Sequence, residues 1–496
     1  MRRFAFLISM LLWCTAGWAA TPTLVQSVWG PNSGSGEGGA NWPGSPSFYY
    51  SIEYPEPTQP GNLLICAAFG YAHFSATYSI SDDKNQTWTL AGSNFPYQSS
   101  SDNIVSIWYV ANNAGGTRQV KVTASDDVGG YVAVHCMEFY NVATANPVDG
   151  TPNCNSVTAT TLTGTSTGTL TSGDLILLES FNDNVAPTAS FTAGSQSNIA
   201  WALDAADYLD GYAGQYGVYS AATSFTPQMT TGTSNTYTSC QVAFKSASAG
   251  TAPTQSMRIV HLGHFAMLPS GTTQTLGFPS SGNLLVASFT GGGDSISGIT
   301  STPGNTWKST GTVAGSPAFS ATSQIYYAGN ASTATTETVA ITRTGTLEPD
   351  TVLIYDITGA STSPFDTDSG GQSATQNSEV SSFTTCTTCL TPSTASDIVI
   401  LNANQIYCTG TAITAPSGAV FDAAVATLNS INGPQPVDQN GEWAHFYDTN
   451  ASGITATWTM SCNQAESGWA GRVAAFKSAQ NQPLPPTGVK GAVVPQ

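Results

Sequence analysis

Three acids, Asp204, Asp207 and Asp210, fall within seven residues and are followed by Gly211. In a loop, such spacing could supply oxygens to calcium, which takes six to eight of them, commonly from an acidic loop. Asn182, Asp183 and Asn184 add oxygen donors upstream. The spacing is not that of an EF-hand, and a later stretch offers only Asp438, Asn440 and Glu442, so a solvated acidic loop is the competing reading. Asp82 and Asp83 make the same case more weakly. Glycoside hydrolysis would need two carboxylates facing across a cleft, ~5 Å or ~6.5–9.5 Å apart. Glu138 and Asp356 occupy matching sequence contexts, flanked by Met137 and Phe139 and by Tyr355 and Ile357. On an alternating strand that pattern turns the acid outward into solvent, and no Glu-x-Asp-x-Glu run accompanies it.

Aromatic residues could instead bind sugars by stacking. Trp42, Phe48, Tyr49, Tyr50 and Tyr54 lie in a Gly/Pro-rich N-terminal segment, and Trp201, Tyr208, Tyr212 and Tyr216 form a second group. Flat rings beside acceptor side chains suit a glycan, against ordinary packing as the alternative. Cys386 and Cys389 have the CxxC spacing of zinc and redox sites, which Cys408 and Cys462 could complete. His261 and His264, three apart on a strand, would point to opposite faces and make a poor metal pair.

These residues sit in a chain that states most of its pattern twice. Gly61-Asn62-Leu63-Leu64 returns as Gly282-Asn283-Leu284-Leu285, and Asn85-Gln86-Thr87-Trp88 as Gly304-Asn305-Thr306-Trp307. Ile107-Trp108-Tyr109 returns as Ile325-Tyr326-Tyr327, and Ala243-Phe244-Lys245 as Ala475-Phe476-Lys477. Offsets of 221, 219, 218 and 232 residues mark whole-domain copies, since solenoid repeats run at roughly 20–50 residues. Trp88 with Trp307 and Trp108 with Tyr326, kept in both copies, are expected to pack. A weaker echo divides each copy, with Gly173-Asp174-Leu175-Ile176 and Ser396-Asp397-Ile398-Val399 resembling the Gly-Asn-Leu-Leu turn.

Apolar runs are short, β-branched or aromatic, and bounded by Gly, Asn, Ser, Thr or Pro, which predicts strands throughout. A short helix over 200–209 is the one exception considered. The expected fold is all-β: two tandem antiparallel, jelly-roll-like β-sandwiches at 21–248 and 255–479, joined by a Ser/Ala/Gly/Thr/Pro linker. Each Gly-Asn or Gly-Asp turn should feed a central strand buried on both faces. A Pro-rich tail, 480–496, is expected to be disordered. Within it Leu484-Pro485-Pro486-Thr487-Gly488 matches a sortase signal but lacks the apolar segment and basic end such a signal needs.

Residues 1–19 read as an export signal: Arg2 and Arg3, the apolar run Phe4 to Trp13, then small residues before Ala20. That run is too short to span a membrane, and nothing later is long and apolar enough. Without Arg2 and Arg3, 10 basic residues face 30 acidic ones, a net charge near −20 that makes nucleic acid a poor partner. Eight cysteines follow Cys14: Cys66, Cys136, Cys154 and Cys240 in the first copy, Cys386, Cys389, Cys408 and Cys462 in the second. Four per copy suits disulfides formed after export. Their positions do not match between copies, and spacing leaves the pairing open.

The series of Gly-Asn-Leu-Leu, Asn-x-Thr-Trp or Asn-Thr-Trp, an aromatic pair, a Thr/Val strand, an acid-bearing strand ending at Asn141-Val142 or Gly359-Ala360, and Ala-Phe-Lys resembles a domain found repeatedly in exported bacterial proteins. The likeness covers nearly all of both copies and implies no established activity; its broader likeness to concanavalin-type jelly rolls rests on size and strand pattern. The reading is a secreted, non-catalytic cell-surface or extracellular-matrix protein with a binding or scaffolding role. The alternatives are a lectin-like module for polysaccharide, with calcium possible, and a glycoside hydrolase or lyase.

Overall fold

A computed structural model describes residues 20–30, 48–71, 78–91, 95–96, 103–124, 131–182, 190–207, 211–255, 257–267, 273–292, 295–314, 321–344, 350–368, 372–376, 382–393, 396–406, 413–429, 437–448, 454–460 and 467–479. Residues 1–19, expected to be an export signal, and the Pro-rich stretch 480–496 lie outside these residues. No helix occurs among them, and the regular structure is strand throughout.

The strands fall into four successive groups. The first holds β1 (Thr23–Gly30), β2 (Phe48–Glu53), β3 (Leu63–Tyr71), β4 (Tyr78–Asp82), β5 (Thr89–Leu90), β6 (Phe95–Pro96), β7 (Asn103–Val110), β8 (Gln119–Ala124) and β9 (Tyr131–Tyr140). The second holds β10 (Val148–Thr163), β11 (Asp174–Phe181), β12 (Phe191–Thr192), β13 (Ile199–Asp207), β14 (Tyr212–Tyr219) and β15 (Gln228–Phe244). Then come β16 (Arg258–Met267), β17 (Thr273–Ser280), β18 (Asn283–Gly292), β19 (Ile296–Thr302), β20 (Lys308–Ala314), β21 (Ala321–Ala331), β22 (Ala334–Arg343) and β23 (Asp350–Thr358). The last group is β24 (Ala360–Asp368), β25 (Gln372–Gln376), β26 (Ser382–Leu390), β27 (Asp397–Ile406), β28 (Ile413–Thr414), β29 (Val420–Asn429), β30 (Val437–Asp448), β31 (Ile454–Met460) and β32 (Ser467–Ser478).

Each group opens its central strand with the same turn. Gly61, Gly173, Gly282 and Ser396 all have left-handed φ, at +83°, +100°, +88° and +76°. Glycine adopts that conformation freely, which accounts for its place in three of the four turns. The strands that follow, β3, β11, β18 and β27, each lie between two partners, and their Leu/Ile/Val runs are buried on both faces.

An 11-stranded sheet carries the order β20-β21-β18-β23-β16-β1-β9-β3-β7-β5, with β6 on β7. Its middle is the junction of β1 with β16, the one parallel pairing among the described strands, in register from Ser27–His261 to Trp29–Gly263. A twofold axis running along the strands there relates the two copies and exchanges the sheet faces. Leu63 accordingly packs on one side while its counterpart Leu284 packs on the other. Trp88 and Trp307 divide in the same way, as do Trp108 and Tyr326. These repeated rings therefore pack, as expected.

One face of this sheet is covered by a nine-stranded sheet, β10-β15-β11-β14-β13-β17-β22-β19. The other is covered by β2-β8-β4 and by the six-stranded sheet containing β24-β32-β27-β30-β29. A last small sheet, β26-β31-β28, closes the outer side of the six-stranded sheet. The result is a stack of antiparallel sheets, compatible with β-sandwich packing, in which strands of 21–248 and of 255–479 share two sheets. The short helix considered over 200–209 does not form in the described residues. Ile199–Asp207 is β13, paired with β14 and touching β17 at Gly277, so cross-strand hydrogen bonding overrides the helical preference of its Ala and Leu residues.

Candidate functional site

The acids that the repeat places at equivalent positions are both fully buried, not solvated. Glu138 on β9 reaches back to the loop before β3. Its Oε1 accepts hydrogen bonds from the Gln59 amide (2.6 Å) and Asn62 Nδ2 (2.7 Å), and its Oε2 accepts one from Gln26 Nε2 (2.7 Å). Asp356 on β23 does the same for the loop before β18. Its Oδ2 accepts the Ser281 amide at 2.8 Å and lies 2.7 Å from His261 Nδ1. Gln26 and His261 occupy matching registers opposite these acids. The shared acid thus fastens the turn that launches the central strand. Because the twofold exchanges faces, Glu138 and Asp356 point to opposite sides of the sheet and do not face each other across a cleft.

On the face covered by the nine-stranded sheet, the Asp356–His261 pair is one end of a longer array. Asp204 lies at a bulge in β13, where the register skips from Leu203 to Ala205. Its Oδ1 is 3.1 Å from His261 Nε2 and accepts a hydrogen bond from Ser27 Oγ at 3.1 Å, while its Oδ2 is 2.8 Å from His135 Nε2. The far nitrogen of His135, Nδ1, is 3.2 Å from Glu179 Oε1. Three carboxylates and two imidazoles from β9, β11, β13, β16 and β23 therefore alternate in a row at the junction of β1 and β16, joined by hydrogen bonds except at His261 Nε2 and Asp204 Oδ1, which meet as an ion pair. Ser27, His135, Glu179, Asp204 and Asp356 are fully buried, and His261 nearly so.

Burial disfavours charge on both imidazoles, yet their neighbours outweigh it. Glu179 and Asp204 raise His135 to about 10, and Asp204 with Asp356 raises His261 to about 9. Burial would also raise Asp204, but the two imidazolium groups hold it well below the ordinary carboxylate range. Glu179, with one imidazole as partner, is pushed upward by burial.

A second array sits on the opposite face. Asp422 occupies the bulge of β29, between Phe421 and Ala423, in the place that Asp204 takes in β13. Its Oδ1 is 2.7 Å from His445 Nδ1, and its Oδ2 accepts the Tyr355 hydroxyl at 3.1 Å. His445 Nε2 is 3.5 Å from Glu56 Oε1, to which the Tyr447 hydroxyl also donates. Burial opposes the charge on His445, but Asp422 and Glu56 raise it to about 9. Burial raises Glu138, nearby, to about 7, against the lowering pull of its hydrogen bonds from Gln59, Gln26 and Asn62 and of Arg258. His264 completes the contrast. It faces Tyr50 at 3.4 Å, has no carboxylate partner, and is pushed by burial down to about 3. His261 and His264 do point to opposite faces, as their spacing implies.

The residues singled out as ligand candidates are distributed differently. Trp42, Tyr208 and Asp210 lie outside the described residues; Tyr49 falls in β2 and Asp207 in β13, with their side chains outside the description. Tyr50, Trp201 and Tyr212 are buried. Trp201 packs near Phe225, and Tyr212 stacks on Phe69 at 5.0 Å, so neither ring is presented to solvent. Asp204 and Asp207 belong to a strand and not to a loop. Among the described residues no group of three or more His, Cys, Asp or Glu is arranged to hold a metal ion. Asp82 is a turn clamp: Oδ1 accepts the Lys84 and Gln86 amides and Oδ2 accepts Trp88 Nε1 at 3.0 Å. Ser301 does this for Trp307 in the second copy.

The four cysteines whose side chains are described are paired, Cys66 with Cys136 and Cys154 with Cys240, each bond joining residues opposite one another on adjacent strands. Cys386 and Cys389 fall in β26 without described side chains, and Cys408 and Cys462 lie outside the described residues. Sequence reasoning passed over His135, Glu179, His445 and Asp422. The available signal was an imidazole inside an apolar strand, as in Val132-Ala133-Val134-His135-Cys136, where a buried His needs a carboxylate. Comparison with known proteins finds no matching family model, no similar curated protein and no similar solved structure.

Proposed function

We propose that this chain is an exported, non-catalytic protein of the cell surface or extracellular matrix with a binding or scaffolding role, built from the repeated exported-protein domain that its landmarks resemble. The observation that carries the reading is the use to which its ionisable residues are put. The repeat-equivalent acids fasten loops, and four of the five histidines are buried, three of them tied to carboxylates. Such groups act as internal ties and hold nothing toward solvent. Two disulfides between strand neighbours suit an oxidising compartment. No described helix is long and apolar enough to cross a membrane. Among the described residues Leu90 is the one large hydrophobic side chain that is exposed.

Fractionation of the native host with an antibody, combined with a glycan array run with and without chelator, tests this. Scaffolding expects protein at the surface or in the medium and a blank array. Chelator-sensitive glycan binding would replace it with the calcium-assisted lectin reading, and release of reducing sugar would replace it with hydrolysis.

A further inference from the structure

We propose that the buried imidazole–carboxylate arrays form a pH-sensitive latch on the seam between the two copies, closed while the imidazoles carry their protons and opened by alkali. The argument starts from how little backbone joins the copies. Among the described residues, they pair in the 11-stranded sheet only where Ser27–Trp29 lie beside His261–Gly263, and in the nine-stranded sheet only where Ala206 meets Gly277. By contrast β1 pairs with β9 along its whole length, and β16 with β23 along its own. Side chains must therefore supply much of the connection.

Among the described residues two ionic contacts cross this seam, each extending an imidazole–carboxylate pair held within one copy. Asp204 belongs to the first copy and His261 to the second, and they lie 3.1 Å apart. Glu56 of the first copy lies beside His445 and Tyr447 of the second on the opposite face. The charged groups facing His135 are Glu179 and Asp204; those facing His261 are Asp204 and Asp356, with the neutral Tyr216 hydroxyl and Glu337 feeling the field of Asp356. His445 meets Asp422 and Glu56, while Arg258 is held among Glu56, Glu138, Asp356 and Tyr447. Carboxylates outnumber cations on both faces. Every proton lost from an imidazole therefore leaves an uncompensated negative charge in an interior that cannot solvate it. The first copy carries its own covalent ties, Cys66–Cys136 and Cys154–Cys240, and keeps its sheets when the seam yields.

Amide hydrogen exchange of the full chain between pH 7 and 10, corrected for the intrinsic base dependence, reads the latch directly. Protection of Ser27–Trp29 and His261–Gly263 is expected to fall at least tenfold more than that of Ile65–Phe69 in β3, which follows the global loss of stability. Histidine NMR on the same samples should show three imidazoles titrating above pH 8. Asp204→Asn should move the seam transition at least one pH unit lower. His264→Gln, which alters a carboxylate-free imidazole on the same strand, should leave it in place. Equal loss of protection at the seam and in β3, no loss at the seam by pH 10, or a His264→Gln shift of one pH unit or more, as expected of Asp204→Asn, would overturn the latch. Should Asp204→Asn fail to fold, the wild-type exchange pattern and His264→Gln still decide.

Discussion

Glu138→Ala tests whether the repeat's shared acid is a loop clamp. The substitution removes three accepted hydrogen bonds, from the Gln59 amide, Asn62 Nδ2 and Gln26 Nε2. Two of those donors keep another acceptor, since Gln26 Nε2 also reaches Glu56 O at 2.9 Å and Asn62 Nδ2 reaches Thr251 O at 3.0 Å. Losing a bond of that kind costs about 1 kcal/mol each, and orphaning the half-buried Gln59 amide costs about 1 kcal/mol more. Relief of the burial penalty that lifts Glu138 to about 7 offsets part of this, leaving a destabilisation of about 2 kcal/mol. Urea unfolding at pH 7 measures the total, and hydrogen exchange at Gln59 locates it. Exchange there should accelerate by more than the change in global stability allows. A variant within about 0.5 kcal/mol of wild type, or one with Gln59 still protected, would refute the clamp, because ordinary surface substitutions fall in that range.

Stability should fall as pH rises above neutrality. His135, His261 and His445 are held at about 10, 9 and 9 against an ordinary 6.5, so their contribution is complete below pH 6.5 and is lost as pH rises through 9 to 10. Three such groups set a limiting slope of about 4 kcal/mol per pH unit, readable as urea midpoints at pH 6, 7.5 and 8.5; a midpoint that rises with pH would contradict the sign. Gly214→Ala should destabilise by about 3 kcal/mol or abolish folding, because its methyl would sit 2.2 Å from Glu179 Oε2 and 2.6 Å from His135 Nδ1; a thermal midpoint equal to that of wild type would show that the array can yield. Reduction of both disulfides, which span 70 and 86 residues, should cost about 4 kcal/mol each by chain entropy. Calorimetry with and without a phosphine reductant measures it, and no shift in midpoint would count against their structural weight.

The strand content, the fourfold recurrence of the Gly-Asn, Gly-Asp or Ser-Asp turn and the packing role of Trp88 and Trp307 were legible because each is a local signal of one turn or one alternating run. Tyr50, Trp201 and Tyr212 were misleading as ligand candidates because exposure is not encoded locally: Gly-rich surroundings suggested loops, yet a stacked sheet buries both faces of a strand. Asp204 illustrates the same limit. Its neighbours Asp207 and Asp210 suggested a shared acidic loop, whereas a one-residue bulge turns its carboxylate inward toward partners 69 and 57 positions away in sequence. The face exchange between copies is a property of the parallel β1–β16 contact, and no pattern within either copy announces it.

That contact also determines how the chain would carry a load. β1, the first described strand, is held between β9 and β16, and β32, the last, between β27 and the pair β24 and β25. Tension drawn along either strand would shear rows of hydrogen bonds on both flanks at once, instead of peeling an edge one bond at a time. For a protein tethered at one end and pulled at the other, this placement converts a stack of modest sheets into a mechanical fastener. Its strength would depend on the direction of pull, since only a force along the strands engages both flanks together.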